Sequence, residues 1–265
     1  MNLLLGVFGG AFAAFCTYLG QVGVLAGETF ASVFAGRVRL GLTLRQISHI
    51  GFGSQMVVIV TGAFTGAVFV AQTYFQFARL NMESAVGPVV SVAMCRELGP
   101  VLTGLMVAGR VGAAMSAELG TMKVTQQIDA LRALAVHPVD YLVVPRALAM
   151  LVSLPLLVGE CIFFGMLAAY LVATQVLGVG SAYYMLNMYK FTEAEDIFMG
   201  VIKGVVFAVI IVFVACREGL HARDGAVGVG RATTEAVVIS SLAVLIANFF
   251  LTMFLNIFFP AGVSG

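Results

Sequence analysis

Five stretches of the chain are long and apolar enough to cross a lipid bilayer, and no other feature constrains the fold as strongly. Their apolar hearts are residues 52–78, 101–117, 147–177, 197–215 and 236–259. A bilayer span needs about 20 mostly apolar residues, and its backbone polar groups must be satisfied within the segment, so each is predicted to be a helix. The third stretch exceeds one span and is expected to tilt, kink at Pro155 or protrude. The whole sequence agrees, with 61% hydrophobic and 10% charged residues where a soluble domain carries about 45–50% and 25%. The expected fold class is an all-α integral membrane protein with five transmembrane helices.

The same inventory excludes several functions. A net charge of +1 offers no basic field for nucleic acid. Cys16, Cys95, Cys161 and Cys216 are scattered singly through apolar sequence, and His49, His137 and His221 are equally isolated, so no metal or haem ligand set is expected. No G-x-x-x-x-G-K-[ST] loop binds nucleotide, and no Ser-His-Asp or Cys-His pattern suits hydrolysis. The chain is expected to be non-catalytic and to hold no cofactor of its own.

Charge orients the spans, because short cytoplasmic loops carry excess Lys and Arg. With a cytoplasmic start, Arg37, Arg39, Arg45, Lys123, Arg132, Arg146, Arg217, Arg223 and Arg231 fall inside, and only Arg79 and Lys190 lie near the outer face. Residues 3–26 are apolar but rich in glycine and could span, re-enter or lie flat. Residues 1–45 are accordingly placed as an N-terminal interfacial or re-entrant helix. Residues 46–259 form the transmembrane domain, with spans at about 51–79, 88–117, 144–178, 196–218 and 233–258 and a cytoplasmic segment at 118–143.

Within that segment Val124, Ile128, Leu131 and Ala135 recur at helical spacing, with Gln126, Gln127, Asp129 and Arg132 on other faces. A short amphipathic helix over about 121–136 follows, ending before Pro138. It either lies on lipid or docks a soluble partner.

Two further patterns stand inside the spans. Gly104, Ala108, Gly112, Ser116 and Gly120 repeat every fourth residue, a smooth face for close helix contact, within the chain or across a dimer. Ionisable residues at membrane depth are costly and mark candidate sites: Arg96, Glu97, Arg110, Glu118, Glu160 and Lys203. Arg96 and Glu97 point about 100° apart on a helix, and Gly99 and Pro100 are expected to distort their turn.

Residues 95–157, CRELGPVLTGLMVAGRVGAAMSAELGTMKVTQQIDALRALAVHPVDYLVVPRALAMLVSLPLL, resemble the MlaE (YrbE) family of ABC-transporter permeases, and the likeness continues through VIKGVVFA at 201–208 and GRATTEAVVISSLAVLIANFFLTMFL at 230–255. The resemblance implies a homodimer in the inner membrane of a Gram-negative envelope that moves glycerophospholipid in the maintenance of lipid asymmetry. It implies three protein partners: a cytoplasmic ATPase dimer that binds ATP and Mg, a STAS-domain protein, and a hexameric periplasmic MCE-domain protein. On matching motifs, Arg96, Glu97 and Lys203 would line the lipid cavity, with Gln72 and Tyr74 as looser matches. Glu118, Gly120, Thr121, Gln127, Asp129 and Arg132 would belong to the segment that couples to the ATPase. A guanidinium binds phosphate bidentately and an ammonium as a point charge, so the chemistry fits. Two alternatives stay open: a sterol or other hydrophobic cargo, and an ion-coupled transporter using Glu97, Glu160 and Lys203, against which no inverted repeat of broken spans is seen.

Overall fold

A computed structural model describes residues 2–80 and 82–258, which are 90% helical and without strands. Eight helices follow one another: α1 Asn2–Phe34, α2 Leu40–Ala78, α3 Glu83–Val124, α4 Gln127–Ala133, α5 Val139–Val176, α6 Ser181–Phe191, α7 Ala194–Leu220 and α8 Gly225–Phe258. Helices α2, α3, α5, α7 and α8 are the five long and apolar enough to span a membrane. The protein is therefore an all-α, multi-pass membrane protein.

Each observed spanning helix starts before its predicted span, and α3 and α7 also end after theirs. Helix α2 starts at Leu40 rather than 51, α3 runs from Glu83 to Val124 rather than 88–117, and α8 starts at Gly225 rather than 233. Hydrophobicity stops where lipid stops, but backbone hydrogen bonding continues into the polar zone, so hydropathy trims the helix starts. The boundary at residue 45 thus falls inside α2, and residue 259 lies outside the described residues. Helix α5 continues unbroken past Pro155.

Small residues set the packing. A Cβ on Gly62 would stand 2.7 Å from the Cys161 carbonyl oxygen, and one on Gly66 would run into the Gly165 backbone, so α2 and α5 touch backbone to backbone. The small-residue stripe of α3 is likewise used within the chain. A Cβ on Gly104 would meet Phe207 at 3.1 Å and Val244 at 3.3 Å, on Gly112 it would meet Ile211 at 3.3 Å, and on Gly120 it would meet Ala222 at 3.3 Å. Ala108 and Ser116 between them are fully buried. Helices α7 and α8 therefore close on this one face. Helix α8 is covered least: 11% of its most apolar window is buried, against 56% in α7.

The α3–α5 connection departs from expectation. Helix α3 carries Glu118, Gly120 and Thr121 on its last turns, and α4 is only Gln127–Ala133, not 121–136. The Thr121 and Thr125 hydroxyls donate to the carbonyls of Ala117 (2.8 Å) and Thr121 (2.7 Å), so both are spent within α3 and neither caps a new helix. Gln126 at φ 62° and Ala135 at φ 57° break the chain on either side of α4. Ile128, 1% exposed, anchors α4 to the bundle.

Helix α1 is one helix, with no reversal to make it re-entrant. Gln21 accepts hydrogen bonds from Arg217 of α7, whose guanidinium also lies 4.2 Å over the Tyr18 ring, and Ser32 hydrogen-bonds Asp140 at the start of α5. From Gln21 to Ser32 the helix advances about 16 Å at 1.5 Å per residue. Its two anchors sit at the same, arginine-rich end of the bundle, so this part of α1 runs across that end.

Candidate ligand-binding site

Near the opposite end, α3, α7 and α8 bring together a polar cluster inside apolar helices. Its origin is local. In an α-helix the Arg96 carbonyl would accept from the N–H of residue 100, but that residue is proline. The chain responds with a π turn over Met94–Leu98. The side of the turn facing α7 is unusually close: a Cβ on Gly200 would clash with the Cys95 carbonyl, and the Arg96 carbonyl accepts from Lys203 Nζ at 2.7 Å.

Lys203 is fully buried and satisfied three times over, since Nζ also donates to Glu97 Oε1 (2.8 Å) and to Thr252 Oγ1 (2.8 Å). Glu97 in turn accepts from the Thr252 hydroxyl at 2.9 Å and from Asn248 Nδ2 at 2.9 Å. Arg96, 8% exposed, donates Nε–H to Asp196 and Nη1–H to Asn256 Oδ1 at 3.0 Å. Asp196 also closes the capping box that starts α7, accepting from the Glu193 backbone N–H at 2.9 Å. Two cations and two carboxylates thus balance within three helices, which is what makes their burial tolerable.

The cluster is open on one side. A cavity of about 450 Å³ borders Arg96, Glu97 and Asp196 on its polar wall and Val89, Val92 and Phe191 on its apolar one. The Glu97 side chain keeps 37% of its exposure, and Asn256 is exposed. The lining therefore offers charge at one wall and hydrocarbon at the other, the pattern of a site for an amphiphile.

Of the residues singled out in the sequence, Arg96, Glu97 and Lys203 meet here. Gln72 and Tyr74 do not: Gln72 is exposed, and Tyr74 packs in the separate apolar cluster of Val70, Val86 and Met94. Four participants were missed. Asp196 lies at the edge of the fourth predicted span, and Asn248, Thr252 and Asn256 are uncharged. Their spacing of four, one polar face along an otherwise apolar helix, is the signal that could have found them.

At the arginine-rich end the charges around α4 pair over shorter distances in sequence. Arg146 of α5 holds Glu118 at 2.9 Å and the Leu142 carbonyl at 2.8 Å. Asp129 pairs with Arg132 (3.1 Å) and Lys123 (3.6 Å). Thr121, Gln127, Asp129 and Arg132 are all exposed, whereas Gly120 is buried. Beside α4 a cavity of about 650 Å³ is lined by Glu28, Lys123, Arg132, His137 and His221. Among the described residues no cluster of three or more His, Cys, Asp or Glu side chains is arranged for a metal ion.

Residues 43–254, which take in α3–α7 whole and most of α2 and α8, match the sequence profile of the family described as Permease MlaE. The chain belongs to the MlaE permease family. The permease is 42% identical over 238 residues to a probable ABC transporter permease protein of Rickettsia conorii, covering 90% of this chain and 92% of the relative. It is 40% identical over 228 residues to another such protein of Synechocystis, covering 86% and 87%. It is 38% identical over 234 residues to the chloroplastic protein TRIGALACTOSYLDIACYLGLYCEROL 1 of Arabidopsis thaliana, covering 88% of this chain and 67% of that one. The matched region takes in every residue of the polar cluster except Asn256 and the whole of α4.

Proposed function

We propose that the permease takes up a glycerophospholipid at the Arg96–Glu97–Lys203 cluster and moves it between the inner membrane of a Gram-negative envelope and a periplasmic MCE-domain pathway, maintaining outer-membrane lipid asymmetry. The observation that carries this reading is the cavity at Arg96, with a charged wall and an apolar wall inside a bundle otherwise built of hydrocarbon. A lipid phosphate entering it would take the place of Glu97 or Asp196 against a guanidinium or an ammonium, replacing one charge-assisted bond by another. The diacylglycerol lipid in the printed name of the Arabidopsis relative supports a lipid cargo.

The energy comes from a separate chain in this reading. The relatives' names as ABC transporter permeases imply an ATPase partner. Helix α4, exposed except at buried Ile128 and half-buried Leu131, supplies the docking surface, and the Glu118–Arg146 pair joins α3 to α5 on either side of it. A second copy of the chain covers the exposed apolar face of α8, which includes Leu242, Leu245, Phe249 and Phe250. A STAS-domain protein on the ATPase and a hexameric MCE-domain ring complete the assembly, and α1 lies in the interface at the cytoplasmic side.

The test is transfer of labelled phospholipid between proteoliposomes holding the whole complex and a soluble acceptor, with and without ATP. ATP-dependent transfer that falls at least tenfold in the paired Glu97→Gln, Lys203→Met variant, with its thermal transition retained, supports the reading. Transfer driven by a proton gradient without any ATPase, or a co-purified sterol with no phospholipid, defeats it.

A further inference from the structure

We propose that the groove between α2 and α3 at Arg110 is a second phospholipid site, holding the phosphate of a lipid in the leaflet at the arginine-rich end. Arg110 is exposed on α3, and its Nη1–H donates to Ser54 Oγ of α2 at 2.8 Å. Among the described residues no carboxylate lies within ion-pair distance of it; Glu118, two turns along, is held by Arg146. An arginine in a membrane protein faces a partner, water or a phosphate. Here the groove beside it, about 210 Å³, is bordered by Ile50, Val111 and Met115 on the apolar side and, towards the start of α2, by Gln46, His49 and the Glu118 carboxylate that Arg146 holds.

Depth decides the partner. Residues 50–78 of α2 carry no charge, and at 1.5 Å per residue they extend about 44 Å, more than one hydrocarbon thickness. Ser54 lies about one turn inside the arginine-rich end of that run. Helix α8 gives the depth: Gly104 lies against Val244 and Gly120 against Val229, which sets Arg110 level with the region of residue 238, within one turn of Glu235. At that level the guanidinium is within reach of lipid phosphates. Room for it is built in, since a Cβ on Gly53 would stand 2.6 Å from Arg110 Nη2.

This site is far from the cargo cluster. Arg96 and Arg110 are fourteen positions apart on α3, roughly 21 Å along it. It requires the chain to be membrane-embedded but does not require the cargo to be phospholipid. It is read as a resident or entry position for the leaflet that α1 borders.

The experiment uses the full-length permease with its ATPase in nanodiscs containing a phosphatidylethanolamine with a photoreactive group close to the glycerol. Labelled peptides are then mapped. Label is expected on residues 46–54 and 110–118, reduced about tenfold in Arg110→Ala, as loss of one charge-assisted contact predicts. It should fall similarly in Gly53→Leu, whose Cβ would stand nearest the flexible end of Arg110, and remain in the paired Glu97→Gln, Lys203→Met variant. Undiminished label in both groove variants overturns the site. Competition by millimolar inorganic phosphate overturns the lipid assignment in favour of a free anion. Label at Arg110 with none near Arg96 removes the cargo reading and leaves this one standing; the reverse removes this one alone.

Discussion

The two charged regions of the permease obey different rules. The Arg96–Glu97–Asp196–Lys203 cluster joins two helices a hundred or more residues apart in sequence, with Lys203 wholly enclosed. The charges around α4 pair with near neighbours, and Asp129 and Arg132 keep 50% and 61% of their side-chain exposure. Burial makes the first set interdependent, because removing one member strands another in low dielectric, whereas solvent and salt compensate at the second. The first region is therefore expected to report on folding as well as on ligand, the second on partners alone.

The sharpest way to break that contrast is Lys203→Ala. It leaves Glu97 facing only Asn248 and Thr252, and losing one partner of a buried pair costs roughly 3–5 kcal/mol, so the thermal transition of the purified protein should fall steeply. Lys203→Met combined with Glu97→Gln should recover much of the loss. An unchanged transition in Lys203→Ala would show that water already reaches the cluster.

A smaller effect is expected one step out. Asn256→Ala removes the acceptor at Arg96 Nη1 but spares Asp196, a loss of about 1–2 kcal/mol in the same measurement. At the other end, Glu118→Gln strips the charge from the partner of Arg146, whose Nε–H is buried without a partner among the described residues. With Glu118 half exposed, the stability change should stay near 1 kcal/mol, while ATP-driven transfer is lost if the pair relays motion. Smallest of all is Asp129→Asn, expected within about 0.5 kcal/mol and erased by high salt. A change in ATPase-stimulated transfer without a change in melting would confirm the division of labour.

How far the sequence announces these regions follows from the kind of residue in each. Arg96, Glu97 and Lys203 stand out because charge in an apolar run is conspicuous. Asn248, Thr252 and Asn256 do not, since a neutral polar residue in a span is common and only their shared face gives them meaning. The stripe from Gly104 to Gly120 predicts a close contact, but a one-dimensional pattern does not name the surface it meets, and the structure assigns it to α7 and α8 of the same chain. Amphipathic periodicity runs through residues 121–136 and predicts a longer α4, but Gln126 and Ala135, in left-handed conformations, interrupt it. Gly99 and Pro100 promise a distortion, yet the π turn they accompany involves the residues before them.

Pro100 has a consequence for how the cluster could change state. A carboxylate can be protonated or drawn away by a competing ligand, but a peptide oxygen can be neither. Because the missing N–H leaves the Arg96 carbonyl as a permanent acceptor for Lys203 Nζ, the ammonium has a berth that does not depend on Glu97. Glu97 can swing towards or away from the cavity while the positive charge stays where it is. In such an arrangement the backbone is the fixed contact and the acid the moving one, so an incoming anion meets a cation already in position.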